Sequence, residues 1–188
     1  MPLDASRNSL VLPLLGLLVE QPAHAYDLAA RLLTRYAHLH VTRSTVTSLL
    51  KGMQKAGMVV PRVPERVGSR PPRTTYELTG AGLADFSRRI EEGLRDAQPA
   101  SMDFIMAVAY ASVLPARHVA AILDARADRL AGDVRVQRER PHGVLEAHML
   151  EMDYWCAVVT AESNWIRKLA ARIRSHDIVW PTPHLPAH

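Results

Sequence analysis

The spacing of apolar residues changes period once in the N-terminal half of this chain, and that change limits the folds open to it. Stretches 10–20, 25–36 and 43–56 carry apolar residues three or four positions apart, which predicts three short helices. Stretches 58–63 and 74–78 have the character of strands, and the Pro- and Arg-rich segment between them predicts a turn. Three helices followed by a hairpin therefore form one small domain.

The third helix has the clearest sequence signals. Thr42 is a suitable N-cap, and Gly57 can end the helix as a left-handed C′ residue. Its apolar stripe comprises Val46, Leu49, Leu50 and Met53. The residues of the second helix that we expect to face inward are Tyr26, Leu28, Ala29, Leu32 and Leu33. This order of elements is that of a winged helix-turn-helix, whose third helix enters the DNA major groove while the hairpin contacts the backbone or minor groove.

Basic residues are concentrated in the third helix and the hairpin. The 188-residue chain has 23 Lys and Arg against 19 Asp and Glu, a net charge of +4. Residues 41–76 hold seven basic residues and one acidic residue, Glu65, whereas residues 99–188 hold ten of each kind. The seven are Arg43, Lys51, Lys55, Arg62, Arg66, Arg70 and Arg73. Such a window indicates an anionic partner, and double-stranded DNA fits the predicted fold.

The candidate DNA contacts lie on the polar face of the third helix and in the hairpin. The candidates for contacts with base edges are Arg43, Ser44 and Thr47. The helix candidates for phosphate contacts are Thr45, Ser48 and Lys51. The hairpin candidates are Arg66, Arg70, Arg73 and Tyr76. The alternative interpretation, an ordinary solvated helix face, is disfavoured by the adjacent basic hairpin.

The C-terminal half has an entirely helical pattern. After a fourth helix over 81–97, capped by Thr79, we expect an apolar helix over 102–113 and two long helices that end near residues 141 and 176. The apolar seam of the last helix advances in alternating steps of four and three, which is typical of helix-on-helix packing. Its positions are Leu145, Met149, Met152, Cys156, Val159, Ser163, Ile166, Ala170 and Ile173. A seam of this length predicts a partner helix from a second chain, that is, a homodimer.

These patterns predict a mainly α fold with a small β-hairpin wing. A winged helix-turn-helix domain with a linker helix is expected at 1–98, a helical dimerisation and effector domain at 99–177, and a Pro-rich tail at 178–188. The candidates for binding an apolar or aromatic effector are Met102, Met106, Met149, Met152, Trp155 and Trp165. The alternative is that these residues only pack the seam.

Composition excludes several classes of protein. With 48% hydrophobic and 22% charged residues, the chain is globular rather than disordered. The single cysteine, Cys156, excludes an internal disulfide framework and a Cys-cluster zinc site. No run of about 18 apolar residues and no signal-peptide pattern is present, so we expect a cytoplasmic protein without a membrane partner. No catalytic motif is recognisable, so we expect no enzyme activity, no cofactor and no bound metal.

Three motifs in the N-terminal half occur at a familiar spacing. Leu14-Leu15-Gly16-Leu17-Leu18 precedes Pro22 and His24-Ala25-Tyr26-Asp27-Leu28, and the exit from the hairpin reads Tyr76-Glu77-Leu78-Thr79-Gly80-Ala81-Gly82. Together with Thr42-Arg43-Ser44-Thr45-Val46 and Lys55-Ala56-Gly57, they resemble the PadR family of bacterial transcription regulators over residues 10–95. One departure is Thr47-Ser48, where the family usually has Tyr-Pro.

The resemblance to PadR regulators implies a function. It implies a homodimeric repressor that binds a palindromic operator and responds to a small molecule. Two alternatives remain open, namely a constitutive DNA-binding protein without an effector and a helical protein that sequesters small molecules in its C-terminal domain.

Overall fold

The computed structural model describes residues 8–36, 41–62, 74–139 and 146–181. These residues form a mainly helical structure with one small antiparallel sheet, as the sequence predicts. They divide into two units, residues 1–89 and residues 90–187, and the division falls inside one helix. The domain boundary expected at residue 98 stays a prediction. No helix in the described ranges has both the length and the apolar character needed to cross a membrane.

The first unit is built on three helices, which begin and end within two residues of the predicted positions. They are α1 (Val11–Glu20), α2 (Ala25–Arg35) and α3 (Arg43–Lys55). Pro13 lies in the first turn of α1, where its missing N–H removes no helical hydrogen bond.

The buried face of α2 is narrower than the sequence predicts. The residues buried on this helix are Leu28, Ala29 and Leu32. Tyr26 and Leu33 were expected to face inward, but they are exposed at 51% and 46%. The reason is that α2 packs on α1 and α3 along a single side, which leaves the edges of its apolar arc in solvent.

The sheet has three strands rather than the two of the predicted hairpin. Its strands are β1 (Ala23–His24), β2 (Val59–Pro61) and β3 (Thr75–Leu78), in the spatial order β1-β3-β2 with both pairings antiparallel. β1 is two residues long, which is too short to produce a period in the sequence. It is held by ladder pairing with β3 and by a contact of 3.1 Å between Thr75 Oγ1 and His24 Nδ1.

Helix α4 (Gly80–Asp96) follows the sheet without a loop. Thr79 is its N-cap, as predicted, because Thr79 Oγ1 accepts a hydrogen bond of 2.9 Å from the N–H of Gly82. A Cβ at Gly82 would collide with the backbone carbonyl of Met58 and would lie 2.8 Å from Leu78 Cδ1. The Thr-x-x-Gly sequence therefore allows α4 to start in contact with the backbone that enters β2.

Asp85 of α4 is half-buried and carries two ion pairs, with Arg88 and Arg89. The distance from Arg89 Nε to Asp85 Oδ2 is 2.6 Å. Burial raises the pKa of Asp85, but the hydrogen bonds and charges of the two arginines outweigh burial and hold this pKa below its usual range.

The second unit contains the C-terminal part of α4 and three further helices. They are α5 (Met102–Ala109), α6 (Ala116–Arg138) and α7 (Leu150–Arg174), with short 3₁₀ turns at Ala111–Val113 and Glu146–His148. The sequence predicted a continuous helix over 102–113, but α5 ends at residue 109 and a 3₁₀ turn follows.

The seam of α7 packs against α6 of the same chain. Its six buried residues are Cys156, Val159, Ser163, Ile166, Ala170 and Ile173, which are the last six of the nine predicted positions. Ser163 Oγ donates a hydrogen bond of 2.9 Å to Ala127 O, and Arg167 pairs with Asp128 at 3.0 Å. The expectation of a seam helix from a second chain was therefore wrong, because an antiparallel neighbour within the chain already buries these residues.

The N-terminal end of the predicted seam is less regular. Met149 and Met152 are half-buried, and Leu145 lies outside the described residues.

A buried arginine joins the helices of the second unit. Arg126 of α6 pairs with Glu162 of α7 at 2.7 Å and donates a hydrogen bond of 2.8 Å to Ala97 O, just after α4. Its guanidinium carbon lies 4.2 Å from the ring centroid of Phe104 in α5. Because Arg126 also reaches the carbonyl of Arg95 in α4 at 3.4 Å, this single side chain connects α6 to the other three helices of the unit.

Candidate nucleic-acid interface

Helix α3 has well-defined ends, both of which match the sequence prediction. Thr42 has an extended backbone, and its Oγ1 accepts a hydrogen bond of 3.2 Å from the N–H of Thr45. Gly57 follows the helix at a φ of +75°, a left-handed conformation that glycine adopts without strain. The orientation of α3 is thus set at both ends.

One side of α3 is fully buried, and this leaves the opposite side to solvent. The predicted stripe residues Val46, Leu49, Leu50 and Met53 are all inaccessible. They pack against α2 and β2, so the helix cannot rotate without exposing them.

The exposed side of α3 carries all six of its predicted DNA contacts. Arg43, Ser44, Ser48 and Lys51 are exposed, and Thr45 and Thr47 are half-buried. Residues 41–62 contain four basic residues and no acidic residue. The face therefore presents cations and hydroxyls with no carboxylate in its own segment, which is the chemistry that phosphates and base edges require.

Hydroxyl groups at the start of α3 are in mutual contact. Thr42 Oγ1 lies 2.8 Å from both Ser44 Oγ and Thr45 Oγ1. Thr47 Oγ1 donates to Arg43 O at 3.0 Å, so its hydroxyl hydrogen is directed to the helix backbone. Thr47 can then offer a base its methyl group and the lone pairs of its oxygen.

Tyr26 supports the first arginine of this face. The guanidinium carbon of Arg43 lies 4.4 Å from the ring centroid of Tyr26, a cation–π contact between α3 and α2. Tyr26 was predicted to lie in the core, so its contact with Arg43 was not expected from the sequence. The signal available was the His24-Ala25-Tyr26 motif, but spacing alone cannot distinguish a core tyrosine from one that stacks on an arginine at the surface.

The described part of the hairpin contributes less positive charge than its sequence suggests. Arg62 forms a two-point ion pair with Glu77 across β2 and β3, with distances of 2.6 and 2.8 Å. Tyr76, a predicted DNA contact, is 7% exposed and belongs to the core side of β3. Arg66, Arg70 and Arg73 lie outside the described residues.

The six candidate effector residues of the second unit are in differing environments. Met106 is buried, and Met102, Met149, Met152 and Trp155 are half-buried. Trp165 is 48% exposed. Trp155 and Trp165 are ten residues apart on α7, which separates them by roughly 80° around the helix axis. None of the six lines the cavity of about 350 Å³ that lies between α6 and α7.

No group of three or more His, Cys, Asp or Glu side chains within the described ranges is arranged to hold a metal ion.

Comparison with a family model supports the resemblance of the N-terminal half to PadR regulators. Residues 14–88 match the family described as the transcriptional regulator PadR-like family. No curated protein matches the sequence.

Solved structures similar to the chain include three bacterial proteins. PadR of Bacillus subtilis, crystallised in complex with operator DNA, is 16% identical, with a TM-score of 0.42 over 88% of this chain and 99% of that one. The PadR-like transcriptional regulator BC1756 of Bacillus cereus is 15% identical, with a TM-score of 0.37 over 89% and 98%. The protein smu.1604c of Streptococcus mutans is 14% identical, with a TM-score of 0.38 over 86% and 96%.

Proposed function

We propose that the chain, whose residues 14–88 match the transcriptional regulator PadR-like family, is a DNA-binding repressor whose helix α3 reads an operator. The observation that carries this proposal is the exposed face of α3, which has Arg43 and Lys51 and no acidic residue in its segment. Arg43 is the principal candidate for base recognition, because it lies in the first turn of the helix and is held by Tyr26. A regulator of this kind acts in the cytoplasm.

Binding is tested by fluorescence anisotropy with DNA taken from upstream of the protein's own gene. A dimer that neutralises about six to ten phosphates loses ~10³–10⁵ in affinity between about 50 and 200 mM salt. Arg43→Ala weakens binding by about 1–3 kcal/mol if the side chain contacts a base. A flat salt response refutes DNA binding as the main function.

The matched control for Arg43→Ala is Arg117→Ala. Arg117 is an exposed arginine on α6, so both variants remove one surface charge from the chain. The proposal requires that Arg117→Ala leave affinity nearly unchanged. An equal loss in both variants shows that only total charge matters, and Arg43 then has no specific role.

A homodimer is the second part of the proposal, because a palindromic operator needs two recognition helices related by a two-fold axis. Three large apolar residues on α7, Leu150, Tyr154 and Trp165, are exposed at 62%, 73% and 48%. Their spacing places them within roughly 60° of one another and on the side of α7 opposite the seam. This stripe has no partner within the described part of the chain and supports a contact with a second copy.

Light scattering after size exclusion tests the dimer. The double variant Tyr154→Glu/Trp165→Glu is expected to be monomeric and to bind DNA weakly. Arg117→Glu, which changes the net charge by the same amount elsewhere, is expected to remain dimeric. A double variant that remains dimeric shows that the stripe is not the interface.

An apolar or aromatic effector is the third part of the proposal. An effector that prefers a different arrangement of the two recognition helices weakens operator binding by its difference in affinity for the two arrangements. Trp155 and Trp165 are the fluorescence reporters for a screen of aromatic compounds. If Trp155→Ala and Trp165→Ala both bind a ligand as the unmodified protein does, the effector site lies elsewhere; the finding that no compound binds favours a constitutive DNA-binding protein.

A further inference from the structure

A groove lies between α6 and α7 in the second unit, apart from the six candidate effector residues. It encloses about 350 Å³, which is within the range of small-molecule sites of about 300–1,000 Å³. Ala131 and Val134 of α6 form an apolar wall, and Val134 is buried. The groove therefore has both the volume and the apolar surface that the body of a small organic molecule needs.

Three arginines surround this groove. Arg135 and Arg138 of α6 and Arg167 of α7 line it, against a single carboxylate, that of Glu139. Arg167 is paired with the exposed Asp128 at 3.0 Å. Among the described residues, Arg135 and Arg138 have no ion-pair partner. The described rim thus carries an excess of positive charge, and two of its guanidinium groups are not paired with any described carboxylate.

An unsatisfied hydroxyl group gives an independent indication of a ligand. Thr160 of α7 lines the groove, and its buried Oγ1 atom has no hydrogen-bond partner among the residues that the structure describes. A buried polar atom without a partner destabilises a folded protein, and native proteins contain few such atoms. A ligand oxygen in the groove provides the missing partner.

We propose that the α6–α7 groove binds a small organic anion, with a carboxylate or phosphate group between Arg135 and Arg138 and an apolar body against Ala131 and Val134. The hydroxyl of Thr160 donates a hydrogen bond to this ligand. An inorganic anion has no apolar part that can contact Ala131 and Val134. An organic cation is repelled by the arginines. The site does not depend on DNA binding, and its test is carried out on the full-length protein without DNA.

Ligand-observed NMR measures the binding of four probes to the full-length protein. Benzoate and phenyl phosphate combine an anionic group with an apolar ring, whereas inorganic phosphate lacks the ring and benzylammonium reverses the charge. We expect both organic anions to bind at millimolar concentration, inorganic phosphate to bind more weakly, and benzylammonium not to bind.

Variants then locate the site. Arg135→Gln/Arg138→Gln is expected to weaken binding of the organic anions by about tenfold or more, because each charge-assisted hydrogen bond makes a large contribution. Thr160→Val is expected to weaken binding severalfold at nearly constant side-chain volume. The charge-matched control Arg117→Gln/Arg172→Gln removes two exposed arginines outside the groove and is expected to bind the anions unchanged.

The proposal is overturned if neither organic anion binds, or if benzylammonium binds as well as benzoate. Equal losses in the groove variant and its control also overturn it, because binding then depends only on net charge. Thermal denaturation of each variant distinguishes lost binding from lost folding. Anisotropy with DNA is measured separately, so failure of the anion site and failure of the DNA-binding proposal give different results.

Discussion

Replacing Arg126 with methionine is expected to be the most destabilising single change in the second unit. Its side chain is buried, with 1% of the residue exposed, and it makes three kinds of contact. It pairs with Glu162 at 2.7 Å, donates to Ala97 O at 2.8 Å and lies 4.2 Å from the ring of Phe104. Methionine keeps much of the apolar stem but supplies none of the donors.

The expected loss of stability follows from the buried carboxylate that the variant leaves without its arginine. The Glu162 carboxylate, whose side chain is 9% exposed, loses its arginine and keeps the N–H of Ala100 at 2.6 Å. Removing one member of a buried ion pair costs about 3–5 kcal/mol, because the other charge stays desolvated. A domain has only about 5–15 kcal/mol of stability in total, so Arg126→Met is expected to remove a large part of it.

Urea denaturation followed by tryptophan fluorescence measures this loss. All three tryptophans of the chain, Trp155, Trp165 and Trp180, lie in the second unit, so the signal reports that unit rather than the DNA-binding one. The midpoint is expected to fall with little change in the urea dependence, since the surface exposed on unfolding is nearly the same.

Two further variants test the reasoning. Arg167→Met breaks the exposed pair with Asp128 and is expected to cost less than about 1 kcal/mol. Arg126→Met/Glu162→Leu removes both buried charges and is expected to be more stable than Arg126→Met alone. The reasoning is refuted if Arg126→Met costs no more than Arg167→Met, or if the double variant is the least stable.

Three other predictions concern the first unit. Gly82→Ala is expected to cost about 1–3 kcal/mol in thermal or urea denaturation, because its Cβ meets the Met58 carbonyl, whereas Gly80→Ala, with open space around it, is expected to be neutral or stabilising; equal effects would contradict the close approach. Tyr26→Leu is expected to weaken DNA binding about two- to fivefold in anisotropy by removing about 0.5–1 kcal/mol of cation–π support, with little change in unfolding, and an unchanged affinity would remove Tyr26 from the interface. Because the folded-state pKa of Asp85 is lowered, its contribution to stability is present above the pKa of the unfolded chain and is lost as the pH falls through the folded-state value. The stability difference between the protein and Asp85→Asn should therefore shrink in acid, and a difference that is constant with pH would refute this assignment.

Local signals in the sequence predicted the elements of the fold with good accuracy. Thr42 and Thr79 are the N-caps of α3 and α4, and Gly57 has the predicted left-handed backbone. These features depend on residues within a few positions of each other, so the sequence contains all the information needed to identify them. The buried stripe of α3 was predictable for the same reason, because a helix of known start places every third or fourth residue on one side.

Features that depend on residues distant in sequence were decided by the tertiary structure. Nothing near Tyr26 indicates that it stacks on Arg43, and nothing near Arg62 indicates that Glu77 neutralises it across two strands. In the same way, β1 exists only because β3 pairs with it.

The long seam of α7 was determined partly by the local sequence and partly by the tertiary structure. Its alternating spacing determined from the sequence alone which residues would be buried, from Cys156 to Ile173. It did not determine which helix would cover them, because an apolar stripe is complementary to any similar stripe, within the chain or on another copy. The packing of α6 along α7, together with the buried pair of Arg126 with Glu162, shows that the covering helix belongs to the same chain.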